Sequence, residues 1–199
     1  YNKHTGDYLY CVQDDDMSTV GAISSDGQMS PHNMLTSTFS DEYRLFNDSK
    51  VIGISLKDRG AILPAGHSGD AAYWMDENGN WISSSYYMTT LPEWLQAEND
   101  KDKVIKYMSG IWKVKNEFTH NLDTLIKVNG RGAIKITPYG NTILNDLAIC
   151  ILKEEKLGKN KTTDCLFVSY SSTDYIGHQY GPHAAELVDT YIRLDKDIA

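Results

Sequence analysis

No apolar run in this chain approaches the roughly 20 residues needed to cross a bilayer, and no signal-peptide pattern opens it. Positive charge is also short: 19 Lys and Arg stand against 27 Asp and Glu, a formal net charge of −8. That balance excludes a basic stripe for nucleic acid. It also repels an anionic ligand on average, so a site for one must gather positive charge locally. Cysteine is scarce. Cys11, Cys150 and Cys165 show no CxxC spacing, which excludes a disulfide scaffold or a thiolate metal pattern. Cys150 and Cys165 sit in apolar runs and read as small buried hydrophobes. There is no Walker loop, no GxGxxG and no GxSxG, so neither a glycine cradle for phosphate nor a serine elbow is available.

What remains is enough to fold. The 199 residues are 41% hydrophobic and 23% charged, which suits one sizeable α/β domain or a large piece of a bigger one. The chain starts in "YNKHTGDYLYCV", a strand-like alternation, and stops within the helical pattern "TYIRLDKDIA". Both ends read as cut, so the chain is taken as a fragment.

Along the chain, Ser30 and Pro31 predict a helix start, with Met34, Leu35, Thr38, Phe39, Leu45 and Phe46 as its core-facing stripe. "KVIGISL" reads as a strand covered on both faces, and the Gly, Ala and Ser-rich stretch from Gly60 to Ala72 as ordered loop. "YWMDENGNWISSSYY" places two β-prone arms around Asn78-Gly79, a hairpin signal. Pro92 opens a short helix. Residues 100–137 lack clean periodicity and read as an insertion or cap segment between core parts at 1–99 and 138–199. Ile143, Leu144, Leu147, Ala148, Ile151 and Leu152 then form one helical face, stopped at Gly158. "DCLFVSYS" is a second buried strand. From Ala184 on, Leu187, Val188, Tyr191, Leu194 and Ile198 share a helix side, with Asp189 four residues before Arg193. The alternation of helix and strand predicts an α/β fold, a mostly parallel sheet with helices on both faces.

Ligands of such sheets bind beyond the carboxyl ends of the strands, and two of these ends carry reactive groups. After "CLFVSYS" come Asp174 and His178, four residues apart, an oxygen and a nitrogen donor that suit zinc. The same spacing equally fits an aspartate capping a turn beside a hydrogen-bonded histidine. His183 reads as a surface or capping residue and His67 as a hydrogen-bonded loop residue. After "VIGISL" come Lys57, Asp58 and Arg59. Strand geometry carried through Arg59 would send Lys57 and Arg59 to one side and Asp58 to the other, making a phosphate or sulfate clamp. The plain alternative is a solvated charge cluster.

The segments "GQMSPHNML", "SKVIGISLKDRGAILPAGHSGDAAYW", "ITPYGNTILNDLAI", "SYSSTDYIGHQYGP" and "DTYIRLDKDI", in this order, resemble the alkaline phosphatase superfamily. The resemblance is to its type I phosphodiesterase/nucleotide pyrophosphatase-like branch, and within it to bacterial zinc alkaline phosphatases with a threonine nucleophile. It implies an alkaline-phosphatase-like fold and an enzyme with two Zn2+ ions acting on a small-molecule phosphate ester. Asp174 and His178 match two ligands of one zinc, and Lys57 and Arg59 match the basic pair that contacts the non-bridging phosphoryl oxygens. The family's nucleophilic threonine, an early aspartate ligand and a phosphoryl-contacting asparagine precede the segment matching Tyr1. Its other metal ligands would follow Ala199. Asn2 and Thr5 match positions beyond the missing motif.

The resemblance implies a phosphomonoesterase acting through a covalent phospho-threonine, exported and periplasmic, with the 199-residue piece inactive alone. A phosphodiesterase or nucleotide pyrophosphatase of the same fold is one alternative. Another is a non-catalytic binding module that presents the aromatics of residues 73–88 to a partner.

Overall fold

The computed structural model describes residues 5–199, so Asn2 lies outside the described residues. In chain order these residues form β1 (Thr19–Val20), α1 (Phe39–Phe46), β2 (Val51–Ser55), α2 (Asp58–Ala65), β3 (Ala71–Met75), β4 (Trp81–Ser84), α3 (Glu93–Asp100) and α4 (Lys103–Tyr107). There follow β5 (Ile111–Val114), β6 (Phe118–Asn121), α5 (Leu122–Asn129), a 3-10 helix (Arg131–Ile136), α6 (Tyr139–Glu154), β7 (Cys165–Ser169), α7 (Ser172–Tyr180) and α8 (Ala185–Ile198). Among the described residues, no helix is long and apolar enough to cross a membrane.

The main sheet has the order β1-β4-β3-β2-β7. Its centre is parallel, with β2 between β3 and β7, while β4 and β1 extend it antiparallel. Every residue of β2 is buried, because helices cover both faces. Ile52 and Ile54 turn toward α6, where Ile143, Leu144, Leu147 and Ile151 join them with Tyr73 and Met75. The opposite face packs Ala61, Ile62 and Ala65 of α2 against Ala72, Trp74 and Ile82. Gly53 makes this close approach possible: a Cβ there would lie 2.1 Å from the Ala61 carbonyl oxygen. The α/β architecture with helices on both faces is therefore as the sequence predicts, with two antiparallel strands on one side of the parallel centre.

Several local expectations need correction. The helix predicted from Ser30 begins only at Phe39. Thr38 caps it, its hydroxyl accepting the Asp41 N–H while the Asp41 carboxylate accepts the Thr38 N–H. Ser30 is instead held by a 2.5 Å bond from its hydroxyl to Asp14. The supposed core stripe faces outward, with Leu35 98%, Phe39 68% and Phe46 83% exposed. The loop expected over 60–72 holds α2 and the start of β3; Gly60 and Pro64 disguise a helix whose apolar residues are nonetheless buried. The strand-like alternation at the start forms no strand in the described residues before Thr19.

The predicted hairpin is present, with Met75 opposite Trp81 and Gly79 at φ 80° in the turn. Its aromatics are mostly internal, however. Tyr73, Trp74 and Trp81 are buried, which removes the partner surface imagined for them; Tyr86 is exposed. The helix after Pro92, the long helix α6 and the strand β7 all appear. Leu152 faces out from α6, and the residue that stops the helix is Glu155, three before Gly158. On α8 Val188, Tyr191 and Ile198 are exposed, while Arg193 pairs with Asp189 at 2.7 Å. Cys150 and Cys165 are half-buried free thiols. Between 100 and 137, Val104, Met108, Trp112, Leu122 and Ile134 join the same apolar cluster as α6 and β2.

Candidate active site

Two parallel neighbours, β2 and β7, end at the same level, with Ser55 opposite Ser169. A serine cluster ties the loops that follow. The Ser55 hydroxyl donates to the Ser169 carbonyl at 3.2 Å, lies 3.0 Å from the Ser171 hydroxyl and accepts the Lys57 N–H at 3.1 Å. Behind them, Asn141 of α6 accepts the Ser172 N–H at 3.1 Å and so anchors the start of α7. The side chains beyond the two strand ends are thus set on a hydrogen-bonded base rather than on free loops.

On that base the four residues singled out in the sequence come to one rim. The Lys57 ammonium forms an ion pair with Asp174 and lies 4.3 Å from the centroid of the Tyr175 ring. Its side chain is 14% exposed, so the charge is delivered on a packed stem. Asp174 and His178 project from one face of α7, with Nε2 of the imidazole 3.3 Å from Oδ1. The bond from Lys57 is the main reason that the Asp174 carboxyl is held below its usual range.

Arg59 reaches the same region, but not as the strand argument supposed. The strand ends at Ser55, Lys57 is the N-cap of α2, and Asp58 and Arg59 lie in the first helical turn. Period-two alternation therefore does not separate Asp58 from its neighbours. All three line a cavity of about 190 Å³ together with Tyr10, Lys135 and Tyr175. The Arg59 guanidinium donates to the Tyr10 hydroxyl at 3.0 Å, and that hydroxyl donates to Asp58 at 2.6 Å. Lys135 is almost fully buried and pairs with Glu77 at 2.7 Å. The cavity lining brings three cations together with four acids, Asp26, Asp58, Asp76 and Glu77, and each cation is engaged by a nearby acid or phenol. Asp174 and His178 do not line the cavity themselves; Lys57 connects them to it.

The donor set tests what could be held here. Asp174 and His178 offer a carboxylate oxygen and an imidazole nitrogen 3.3 Å apart on one helix face, 52% and 82% exposed, and a contact so open contributes little to folding. That chemistry fits two ligands of a zinc ion, which needs further donors to complete its shell. Among the described residues, no group of three or more His, Cys, Asp and Glu converges on one point. His183 and His67 are exposed and stand outside this arrangement.

The family model for type I phosphodiesterase / nucleotide pyrophosphatase matches residues 1–199. The chain belongs to this family. It is 44% identical, over 98% of its length, to a Myroides odoratus protein named calcium-transporting ATPase. It is 39% identical over its whole length to alkaline phosphatase PhoV of Synechococcus elongatus. Alkaline phosphatase PafA of Elizabethkingia meningoseptica is 35% identical to it, again over the whole chain. A crystal structure of a PafA variant, in which a threonine, an asparagine, a lysine and an arginine are substituted, superposes with a TM-score of 0.91 at 35% identity, covering 99% of this chain and 44% of that one. The fold is alkaline-phosphatase-like. The chain spans about two-fifths of the length of these relatives, 41% for the first two.

Three residues that line this cavity escaped the sequence reading: Tyr10, Lys135 and Tyr175. Tyr175 adjoins Asp174 and could have been marked by that adjacency. Tyr10 stands 48 residues before Asp58, and no spacing signal links them.

Proposed function

We propose that this chain carries part of the active site of a zinc-dependent phosphatase that hydrolyses phosphate monoesters through a covalent phospho-threonine. One observation supports the reading above the others: Lys57, a cation, and Asp174, a metal-type ligand, meet beyond the carboxyl ends of adjacent parallel strands. The lysine and arginine substituted in the PafA variant stand two residues apart, as Lys57 and Arg59 do here.

In this reading Lys57 and Arg59 bind non-bridging phosphoryl oxygens. Arg59 supplies directional N–H donors and Lys57 a compact charge on a buried stem. Asp174 and His178 hold one of two zinc ions, which when bound supplies Lewis-acid charge to the phosphoryl group and the attacking water. Positioning and charge stabilisation are what phosphoryl transfer chiefly requires. Two cations at the rim favour a monoester, whose dianion has more charge to neutralise than a diester. The nucleophilic threonine belongs to the longer polypeptide, and export to the periplasm is part of the same proposal.

The test uses the full-length polypeptide. The expected result is faster turnover of p-nitrophenyl phosphate than of bis-p-nitrophenyl phosphate, with zinc recovered in the purified enzyme. A clear preference for the diester would move the assignment to a phosphodiesterase of the same fold.

A further inference from the structure

The arginine of the proposed clamp is an exposed side chain with several rotatable bonds, and such a group serves poorly unless its orientation is fixed beforehand. The geometry points to Tyr10 as the positioning residue that fixes it. The Tyr10 hydroxyl accepts from Arg59 Nη1 at 3.0 Å and donates to Asp58 Oδ1 at 2.6 Å. That same carboxylate oxygen accepts the backbone N–H of Arg59 at 2.5 Å, which closes the arrangement on the first turn of α2. A phenol can make both bonds at once because its oxygen donates one and accepts the other. Phenylalanine at this position could make neither.

Tyr10 is itself held from elsewhere. Its carbonyl accepts from the Gln13 N–H at 3.1 Å and from the Asn33 amide at 3.3 Å. Its ring packs against the apolar cluster formed by α2, Trp74 and Ile82. The phenol is thus a fixed post beside a long, exposed side chain. Burial, and next the bond to Asp58, push its pKa up to about 12, so the hydroxyl keeps its proton through the alkaline range. The hydrogen bond with Tyr10 is also the largest cause of a raised Arg59 pKa. One phosphoryl-facing cation, Arg59, is therefore oriented by a residue that needs no contact with substrate.

This inference rests on the clamp reading of Arg59, and a double-mutant cycle separates the two. In the full-length enzyme Tyr10→Phe is expected to lower kcat/KM for p-nitrophenyl phosphate about 5-fold, the scale of one lost hydrogen bond, and to weaken inhibition by inorganic phosphate similarly. Arg59→Ala should cost more, and adding Tyr10→Phe to Arg59→Ala should then change kcat/KM less than about 2-fold. If Tyr10→Phe has the same effect with and without Arg59, or lowers only the melting temperature, Tyr10 does not act through Arg59 and the inference falls. If Arg59→Ala alone leaves kcat/KM unchanged, it is the clamp reading that fails, and this inference with it.

Discussion

Lys57 and Asp174 lie 117 residues apart in the chain and form an ion pair across the ends of β2 and β7. Neither strand alone presents a site. Their parallel register, Ser55 beside Ser169, sets the two following loops side by side, and the serine bonds between those loops keep them there. The ammonium is then held between a carboxylate and the face of Tyr175.

Removing that ammonium is expected to impair chemistry more than folding. In the full-length enzyme Lys57→Ala should lower kcat/KM for p-nitrophenyl phosphate by roughly 100-fold or more, the usual scale for losing one charge-stabilising donor. Steady-state kinetics check this, and a loss below about 3-fold would remove Lys57 from the proposed clamp.

The metal-ligand assignment has its own readout. Asp174→Ala and His178→Ala should each lower the zinc content of the full-length protein, measured by elemental analysis after dialysis. Chelation should abolish turnover, with zinc restoring it. An unchanged zinc content in both variants would show that these side chains are not ligands.

Packing at Gly53 gives a stability prediction that reaches the site. A Cβ at this position would meet the Ala61 carbonyl, backbone that cannot swing aside. Gly53→Ala should therefore destabilise by about 1–3 kcal/mol and also lower kcat/KM, because α2 carries Asp58 and Arg59. Gly177→Ala is the contrast: its new Cβ would come no closer than 3.7 Å to Leu187, and a helical alanine should be stabilising by up to about 1 kcal/mol. Urea unfolding distinguishes the two.

Asp41 makes stability depend on acid pH. Burial acts to raise its pKa, but bonds from the Ser68 hydroxyl, the Ser68 N–H and the Thr38 N–H outweigh it and leave the value at about 2, below the ordinary 3.8. Because the folded value is depressed, its contribution is complete above about pH 4 and is lost as pH falls from there through about 2. Asp41→Asn should lower the melting temperature at pH 7, and the difference from the parent should shrink across that window. A difference independent of pH would contradict the assignment.

Local chemistry made much of this fold legible. The mostly apolar, β-prone run at "VIGISL" pointed to cover on both faces, Asn78-Gly79 marked the hairpin, and the stripe from Ile143 to Ile151 marked α6; each is a property of neighbours along the chain. Reading failed where tertiary contact overrode local preference. Leu35, Phe39 and Phe46 have helical spacing yet face outward, and α2 forms through Gly60 and Pro64 because its alanines fit against a glycine in β2. The cations and the metal-type pair could be named from residue type and strand-end position. Their meeting depended on the register of β2 against β7, and the Tyr10–Arg59 contact on a segment 49 residues away. Sequence by itself determined which side chains carry charge and donor atoms, since that is fixed by covalent chemistry; only the tertiary structure decided which of them share one rim, because distance in space is set by strand pairing and not by spacing along the chain.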